Sequence, residues 1–192
     1  MKRTRYFHED DHCQRELLLI ASWDYCASEI RKISEFSEAH RAPIGWTKMY
    51  MRGATPERLR DLQLTAAAIE SAVSSRLPPY DEVFTGYSTH REASPKTRAF
   101  GADAGPALYV DLDDRGYVEY AWLDAALTDA SVAEWMPALM ASLPRADELL
   151  FVDWAWGHLQ QVADVDAWRR YFDAQGHARQ EARDILSLPD DG

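Results

Sequence analysis

The densest group of side chains able to do chemistry is the run HEDDHC, from His8 to Cys13. Each of these side chains can bind a metal ion, and on a helix His8 and His12 would share one face. The run differs from the HExxH zinc motif, because it leads into an apolar strand rather than continuing a long helix. A metal-assisted hydrolase that uses His8 and His12 is therefore our second hypothesis, and we predict no metal or other cofactor.

The same run can bind basic side chains instead of a metal. Glu9, Asp10 and Asp11, together with Glu16, provide carboxylates that pair with Arg or Lys of a protein partner. This kind of contact does not require the defined ligand geometry of a metal site. We therefore interpret the four residues as part of a partner-binding surface. A solvated acidic face without a partner remains the alternative.

A second polar stretch, TGYSTHREASPKTRAFG, runs from Thr85 to Gly101. Long polar loops often carry function, and His90 with Glu92 would act as base and orienter for a nucleophilic Ser88 or Ser94. However, the chain contains no G-x-S-x-G elbow, no P-loop and no GxGxxG motif. We therefore predict no catalytic residue.

A third candidate is the sequence DWAW, which ends a predicted strand and includes Asp153, Trp154 and Trp156. Two Trp residues two positions apart lie on one face of a strand, and we expect at least one of them in the core. An exposed Trp beside acidic residues is a good interface anchor. We predict that these three residues, with Arg91 and Glu92 of the polar stretch, contact a partner.

The charge of the chain restricts the classes of partner. Its 192 residues carry a formal net charge of −11, with 46% hydrophobic and 28% charged residues, which is typical of a folded globular protein. Nucleic acids and anionic membranes repel such a protein at long range, so we expect neither as a partner. A basic protein, in contrast, associates rapidly with an acidic one.

Cysteine content and hydropathy predict the compartment. Cys13 and Cys26 are the only cysteines, and their spacing fits neither a disulfide framework nor a zinc knuckle. No stretch approaches the ~20 apolar residues that span a bilayer. The apolar run from Leu17 to Ala21 is too short for the core of a signal peptide. We therefore expect a cytoplasmic protein with reduced thiols.

Hydrophobic periodicity predicts alternating and mixed elements in the first half of the chain. The apolar run from Leu17 to Ile20 predicts a buried strand, and the pattern predicts an amphipathic helix over about Asp24 to Ala39. Ile44 to Arg52 alternates like a strand. A second helix is expected to begin at Thr55-Pro56, with Thr55 as its N-cap, and to end at Pro78-Pro79.

The second half of the chain is predicted to hold four strands before its first helix. The predicted elements are strands at Val83 to Tyr87 and Thr97 to Phe100, a hairpin of Ala107 to Leu112 and Tyr117 to Leu123, a helix from Ser131 to about Ser142, a strand from Glu148 to Trp154, and a helix capped by Asp164 and weakened at Gly176. The order predicts an α+β fold with a mainly antiparallel sheet packed with three to four helices. We expect one domain over residues 1–188 and a frayed acidic tail over residues 189–192.

Three stretches, FHEDDHCQRELL, TGYSTHREASPKTRAFG and LLFVDWAWG, together resemble small bacterial proteins that are encoded as immunity proteins beside secreted antibacterial toxins. The resemblance implies a role rather than an architecture, and it supplies no catalytic residue. It implies a cytoplasmic protein that binds and blocks one cognate toxin, through an acidic surface that contains aromatic residues. A non-catalytic assembly or adaptor protein remains a further alternative.

Overall fold

The computed structural model describes residues 2–87, 90–103, 105–124 and 130–186. Within these residues the chain forms an α+β architecture with two β-sheets. The helices and strands are, in chain order, β1 (Thr4–His8), β2 (Arg15–Leu19), α1 (Trp23–Ala39), α2 (Ala66–Val73), β3 (Glu82–Tyr87), β4 (His90–Ala93), β5 (Thr97–Gly101), β6 (Ala107–Leu112), β7 (Val118–Leu123), α3 (Ala130–Ala141), β8 (Leu149–Asp153), β9 (His158–Gln161) and α4 (Val165–Leu186).

The larger sheet has six strands in the order β5-β6-β7-β2-β8-β9, and every neighbouring pair is antiparallel. Its central strands are apolar on both sides because both faces of the sheet are covered. On one face, Leu17 and Phe151 of the sheet lie in the main core with Met136 of α3 and Trp168 of α4.

Two separate elements cover the other face of the six-stranded sheet. Helix α1 packs at the β2–β8 end, where Cys26 lies in one cluster with Leu18. A three-stranded sheet in the order β1-β3-β4 packs at the β6–β7 end, with β1 parallel to β3. Phe7 of β1 contacts the rings of Tyr109 and Trp122, which are themselves stacked. The gap between these two elements contains the candidate site.

Several predicted elements are confirmed. The helix expected from Asp24 is α1, the apolar run after Glu16 is β2, and the hairpin forms as β6 and β7. Gly116 in its turn has a φ of +85°, which glycine adopts at little cost. None of the helices in the described ranges is both long and apolar enough to cross a membrane.

The strand predicted over Ile44 to Arg52 is wrong. In the described structure this segment is irregular, with an isolated β-bridge between Arg41 and Trp46. Only the end of the segment is anchored, since Tyr50 and Arg52 bind the body of the protein, whereas Met51 between them is exposed.

The start predicted for the second helix is also wrong. Residues Leu59–Leu62 form a 3₁₀ turn that ends where Gln63 adopts a left-handed φ of +53°. Helix α2 begins after Thr65, whose hydroxyl accepts a hydrogen bond from the Ala68 amide at 3.2 Å. Strands β4 and β9 were not predicted, and α4 continues through Gly176. The acidic tail lies outside the described residues.

Candidate functional site: a polar cleft and an exposed apolar loop

A polar cleft lies on the second face of the large sheet, next to α1 and the connection between β1 and β2. It contains two adjoining cavities of about 320 Å³ each, and both are lined by His12, Cys13 and Arg52. The first cavity is further lined by Gln14, Ile33, Tyr50, Met51, Trp154 and Ala155. The second is further lined by Glu16, Gly53, Ala54, Thr55, Arg58 and Tyr120.

Glu16 is the buried acid of this cleft, with only 3% of its surface exposed. Its Oε2 atom accepts hydrogen bonds from Arg52 Nη2 and Trp154 Nε1, both at 2.7 Å. The Arg52 guanidinium lies 4.2 Å from the centre of the Trp154 ring, which adds a cation–π contact. Burial raises the pKa of Glu16, while Arg52 and the Trp154 donor act in the opposite direction. The ion pair thus holds the segment around Arg52 onto the sheet.

A second set of contacts holds residues on either side of Arg52 onto α1. The Tyr50 hydroxyl donates to Glu29 Oε2 at 3.0 Å, and Lys32 Nζ donates to Glu29 Oε1 at 2.6 Å. The Tyr25 hydroxyl of α1 donates to the carbonyl oxygen of Gly53 at 3.0 Å. The Lys32 hydrogen bond lowers the pKa of Glu29, so Glu29 is a carboxylate at neutral pH.

The segment Ile44–Met51, which we call the apolar loop, exposes large apolar side chains. Ile44 is 95% exposed, Trp46 63%, Met49 84% and Met51 85%. Trp46 also lines a cavity of about 380 Å³ with the half-exposed Trp156, against apolar residues of α1. The loop and Trp156 therefore present apolar surface to solvent on the same side of the molecule as the cleft.

The buried Asp153 at the end of β8 positions Trp156. Its Oδ2 atom accepts hydrogen bonds from Arg15 Nε at 2.9 Å and from the Tyr171 hydroxyl at 2.7 Å. Its Oδ1 atom accepts from the backbone amides of Ala155 and Trp156, both at 3.1 Å. Burial and the nearby Asp153 carboxylate raise the pKa of Tyr171. Asp153 thus fixes the turn that carries Trp156.

The residues predicted to contact a partner fall into two groups. Glu9, Asp10 and Asp11 are exposed in one 3₁₀ turn, and Trp156 is half-exposed. Arg91 and Glu92 are exposed on β4.

Three predicted contact residues are inside the protein instead. Glu16, Asp153 and Trp154 are buried and bonded within the chain, so they support the surface rather than form it. Trp154 and Trp156 follow β8 instead of lying on it, so they do not share a strand face as expected. A run of strand-forming residues does not show where the strand ends, which is why the sequence misplaced them.

Two side-chain contacts connect the acidic turn to the small sheet. The Tyr87 hydroxyl is hydrogen-bonded to Glu9, which raises the pKa of Tyr87. The His8 ring packs edge-on against Tyr87 at 5.1 Å between ring centres. Within the small sheet, the Arg91 guanidinium of β4 lies 4.5 Å from the centre of the Tyr6 ring of β1. The β3–β4 hairpin and the acidic turn are therefore neighbours.

The two histidines of the HEDDHC run contact different neighbours. His8 Nδ1 accepts a hydrogen bond from the Asp10 amide at 3.3 Å. The His12 ring packs against Trp122 at 4.6 Å between ring centres, and its Nε2 atom lies 3.4 Å from Asp111 Oδ2. His8 and His12 do not share one face, as they would on a helix, because the run folds as the end of a strand followed by a 3₁₀ turn. Within the described residues, no group of three or more His, Cys, Asp or Glu side chains is placed to hold a metal ion.

The proposed base and orienter of the polar stretch do meet, but in solvent. His90 Nε2 and Glu92 Oε1 are 2.7 Å apart on an exposed strand. The Ser94 hydroxyl is instead 2.6 Å from the Thr97 hydroxyl. Ser88 lies outside the described residues. The geometry in the described part of the chain does not join the pair to a nucleophile.

Cys13 also lacks the features of an activated nucleophile. Its Sγ atom lies 3.6 Å from His12 Nε2, but Asp111 approaches the same nitrogen, so the ring does not bridge thiol and carboxylate. Burial, with Glu16 nearby, raises the pKa of the Cys13 thiol. Its left-handed φ of +54° serves the turn that leads into β2.

The sequence did not indicate Arg52, Thr55, Arg58 and Tyr120 as members of one site. They come from an irregular loop and from β7, and only the fold brings them together. The sequence held one signal for the apolar loop: its apolar residues lie between Pro43 and Gly53, two residues typical of loops.

No family model, curated protein or solved structure matches this chain.

Proposed function

We propose that this protein is an inhibitor that binds a cognate protein toxin, with the apolar loop and Trp156 at the centre of the contact. The observation that carries the proposal is the position of the exposed apolar side chains. Among the described residues, four of the seven large hydrophobic side chains that are exposed lie within Ile44–Met51. Concentrated exposed apolar surface marks interaction sites in folded proteins. Met suits such a surface because its flexible thioether adapts to the shape of a partner.

The charge of the chain supports a basic partner. The net charge is −11, and Glu9, Asp10 and Asp11 are exposed in the turn that leads to His12 at the cleft. Complementary charge of this kind accelerates association and selects against acidic partners. The resemblance to immunity proteins supports a toxin as that partner, encoded beside the gene for this chain.

The anchoring of the loop favours tight binding. Tyr50 is tied to Glu29 and Arg52 is tied to Glu16, so the backbone on either side of Met51 is held before a partner arrives. A surface that is already ordered loses less conformational entropy on binding. The backbone that carries Met49 and Met51 is therefore ordered before binding, while their side chains can still adapt to the partner.

The test compares two variants with equal added charge. In the first, Met49→Glu and Met51→Glu place carboxylates in the proposed contact. In the control, Ala67→Glu and Ser71→Glu add the same charge to exposed positions of α2, on the other face of the large sheet. Each variant is coexpressed with the secreted effector encoded next to its gene, and affinity is measured by calorimetry.

We expect the control to protect cells from the toxin and the loop variant to fail. Loss of two central anchors should weaken binding by roughly 100-fold. Equal protection by both variants would refute the contact surface. A neighbouring protein that binds tightly but keeps its full activity would refute inhibition and favour the adaptor alternative.

A further inference from the structure

Arg58 is a half-buried cation beside the second cavity of the cleft. Its Nη1 atom donates to the Tyr120 hydroxyl at 2.8 Å, which is a neutral partner. Among the described residues, no carboxylate lies within ion-pair distance of Arg58. A guanidinium has five N–H donors, so most of those of Arg58 remain available. In a chain with 32 acidic residues, a partly buried Arg without a carboxylate is unusual enough to require an explanation.

Thr55 supplies a second unused donor in the same cavity. Only 9% of its surface is exposed, and it lines the cavity together with Arg58. Its hydroxyl makes no hydrogen bond with any residue that the structure describes. A hydroxyl that lines a cavity and has no partner within the chain can donate a hydrogen bond to a group that enters the cavity.

The other acidic and basic side chains that line this cavity have partners within the chain. Glu16 is paired with Arg52, and His12 lies 3.4 Å from Asp111. Arg58 is therefore the cation in excess, and the complementary group is an anion. Arg binds carboxylate and phosphate oxygens through two parallel N–H donors, which suits this position.

We propose that the cavity lined by Arg58 and Thr55 binds a small molecule through a carboxylate or phosphate group. The guanidinium of Arg58 pairs with two oxygens of this group, and the Thr55 hydroxyl donates to one of them. The cavity volume of about 320 Å³ lies at the lower end of the range for small-molecule sites, so the ligand is compact. The site is independent of the proposed function, because it uses none of the exposed side chains of the apolar loop.

The experiment is an NMR titration of the full chain with inorganic phosphate, acetate and benzoate, each at constant ionic strength. We expect saturable shifts of the Gly53, Ala54 and Arg58 amides with at least one of these probes, with a Kd of about 10 mM or tighter. Saturation by phosphate alone identifies a phosphate ligand, and saturation by a carboxylate alone identifies a carboxylate ligand. Absence of saturable shifts with all three probes would overturn the proposal.

Two variants and one control assign the binding to this cavity. Arg58→Gln should weaken binding about ten- to 100-fold, because a charge-assisted pair is lost. Thr55→Val keeps the side-chain shape and should weaken binding several-fold, which provides a test even if Arg58→Gln folds poorly. The control is Arg31→Gln, an exposed position on α1, and it should bind like the original chain. Unchanged affinity in both cavity variants would place the anion elsewhere and overturn the proposal.

Discussion

Replacement of Arg52 by Met tests the physical role of the Glu16–Arg52 pair. The substitution keeps an unbranched apolar chain beside Trp154 but removes the cation 2.7 Å from a carboxylate that is 3% exposed. A buried acid that loses its partner either remains charged at a high cost or takes up a proton. Because burial already raises the pKa of Glu16 from 4.5, loss of Arg52 should raise it further.

The sign of the pH dependence follows from proton linkage. A carboxyl with a raised pKa in the folded state holds a proton that the unfolded chain has released. Its contribution to stability is therefore present below 4.5 and is lost as the pH rises towards the folded pKa. The original chain also loses stability in this window, so the additional loss in Arg52→Met is about 1.4 kcal/mol for each unit by which the substitution raises the pKa of Glu16 further.

The loss of the cation–π contact adds about 1 kcal/mol that does not depend on pH. We therefore expect Arg52→Met to lower the free energy of unfolding by about 3 kcal/mol at pH 7, as for other buried ion pairs that lose one partner, and by a smaller amount at pH 5. Urea unfolding followed by Trp fluorescence measures both values.

The control for this experiment is Arg41→Met, since Arg41 pairs with Glu38 on the exposed surface. It should change stability by less than about 1 kcal/mol at either pH. An equal effect of Arg52→Met at pH 5 and pH 7, or an effect no larger than that of the control, would show that Glu16 does not depend on Arg52 as argued.

Two further predictions concern buried groups. Asp153→Asn should lower the free energy of unfolding by about 3 kcal/mol, because Arg15 loses its buried carboxylate. The control Asp166→Asn, on the exposed surface of α4, should lower it by less than about 1 kcal/mol in the same urea titration. Equal effects of the two substitutions would contradict the role of Asp153. Burial raises the pKa of Cys26 from 9.0 to about 12. Alkylation of Cys26 by iodoacetamide at pH 8 should therefore be roughly 1,000-fold slower in the folded than in the unfolded protein. Rapid labelling of Cys26 in the folded chain would contradict its burial.

The sequence predicted best the elements whose pattern is local. Helix α1 repeats apolar residues at Cys26, Ile30 and Ile33, and β2 is a short apolar run, so periodicity alone located both. Alternation over Ile44 to Arg52 was misleading, because only Tyr50 and Arg52 of the alternating set bind the body of the protein, while Ile44 and Trp46 are exposed. A segment forms a strand only when another strand pairs with it, and the local sequence pattern does not show whether such a partner is present.

The candidate site could be predicted only in part, because its contacts are distant in sequence. Glu16 looked like a surface acid, yet Arg52 and Trp154 meet it from positions 36 and 138 residues away. Asp153 was identified as notable, but its role in fixing Trp156 depends on Arg15 at the other end of the chain. No spacing rule predicts such pairs, since they follow from the order of strands in the sheet.

The central claim, that the apolar loop is covered by a partner, is tested most directly by oxidation of methionines. Met49 and Met51 are exposed, whereas Met136 and Met140 are fully buried and serve as internal controls. Peroxide should oxidise Met49 and Met51 rapidly in the free protein and slowly in the complex with the toxin, as read by mass spectrometry. Unchanged oxidation of both loop residues in a saturated complex would contradict the claim.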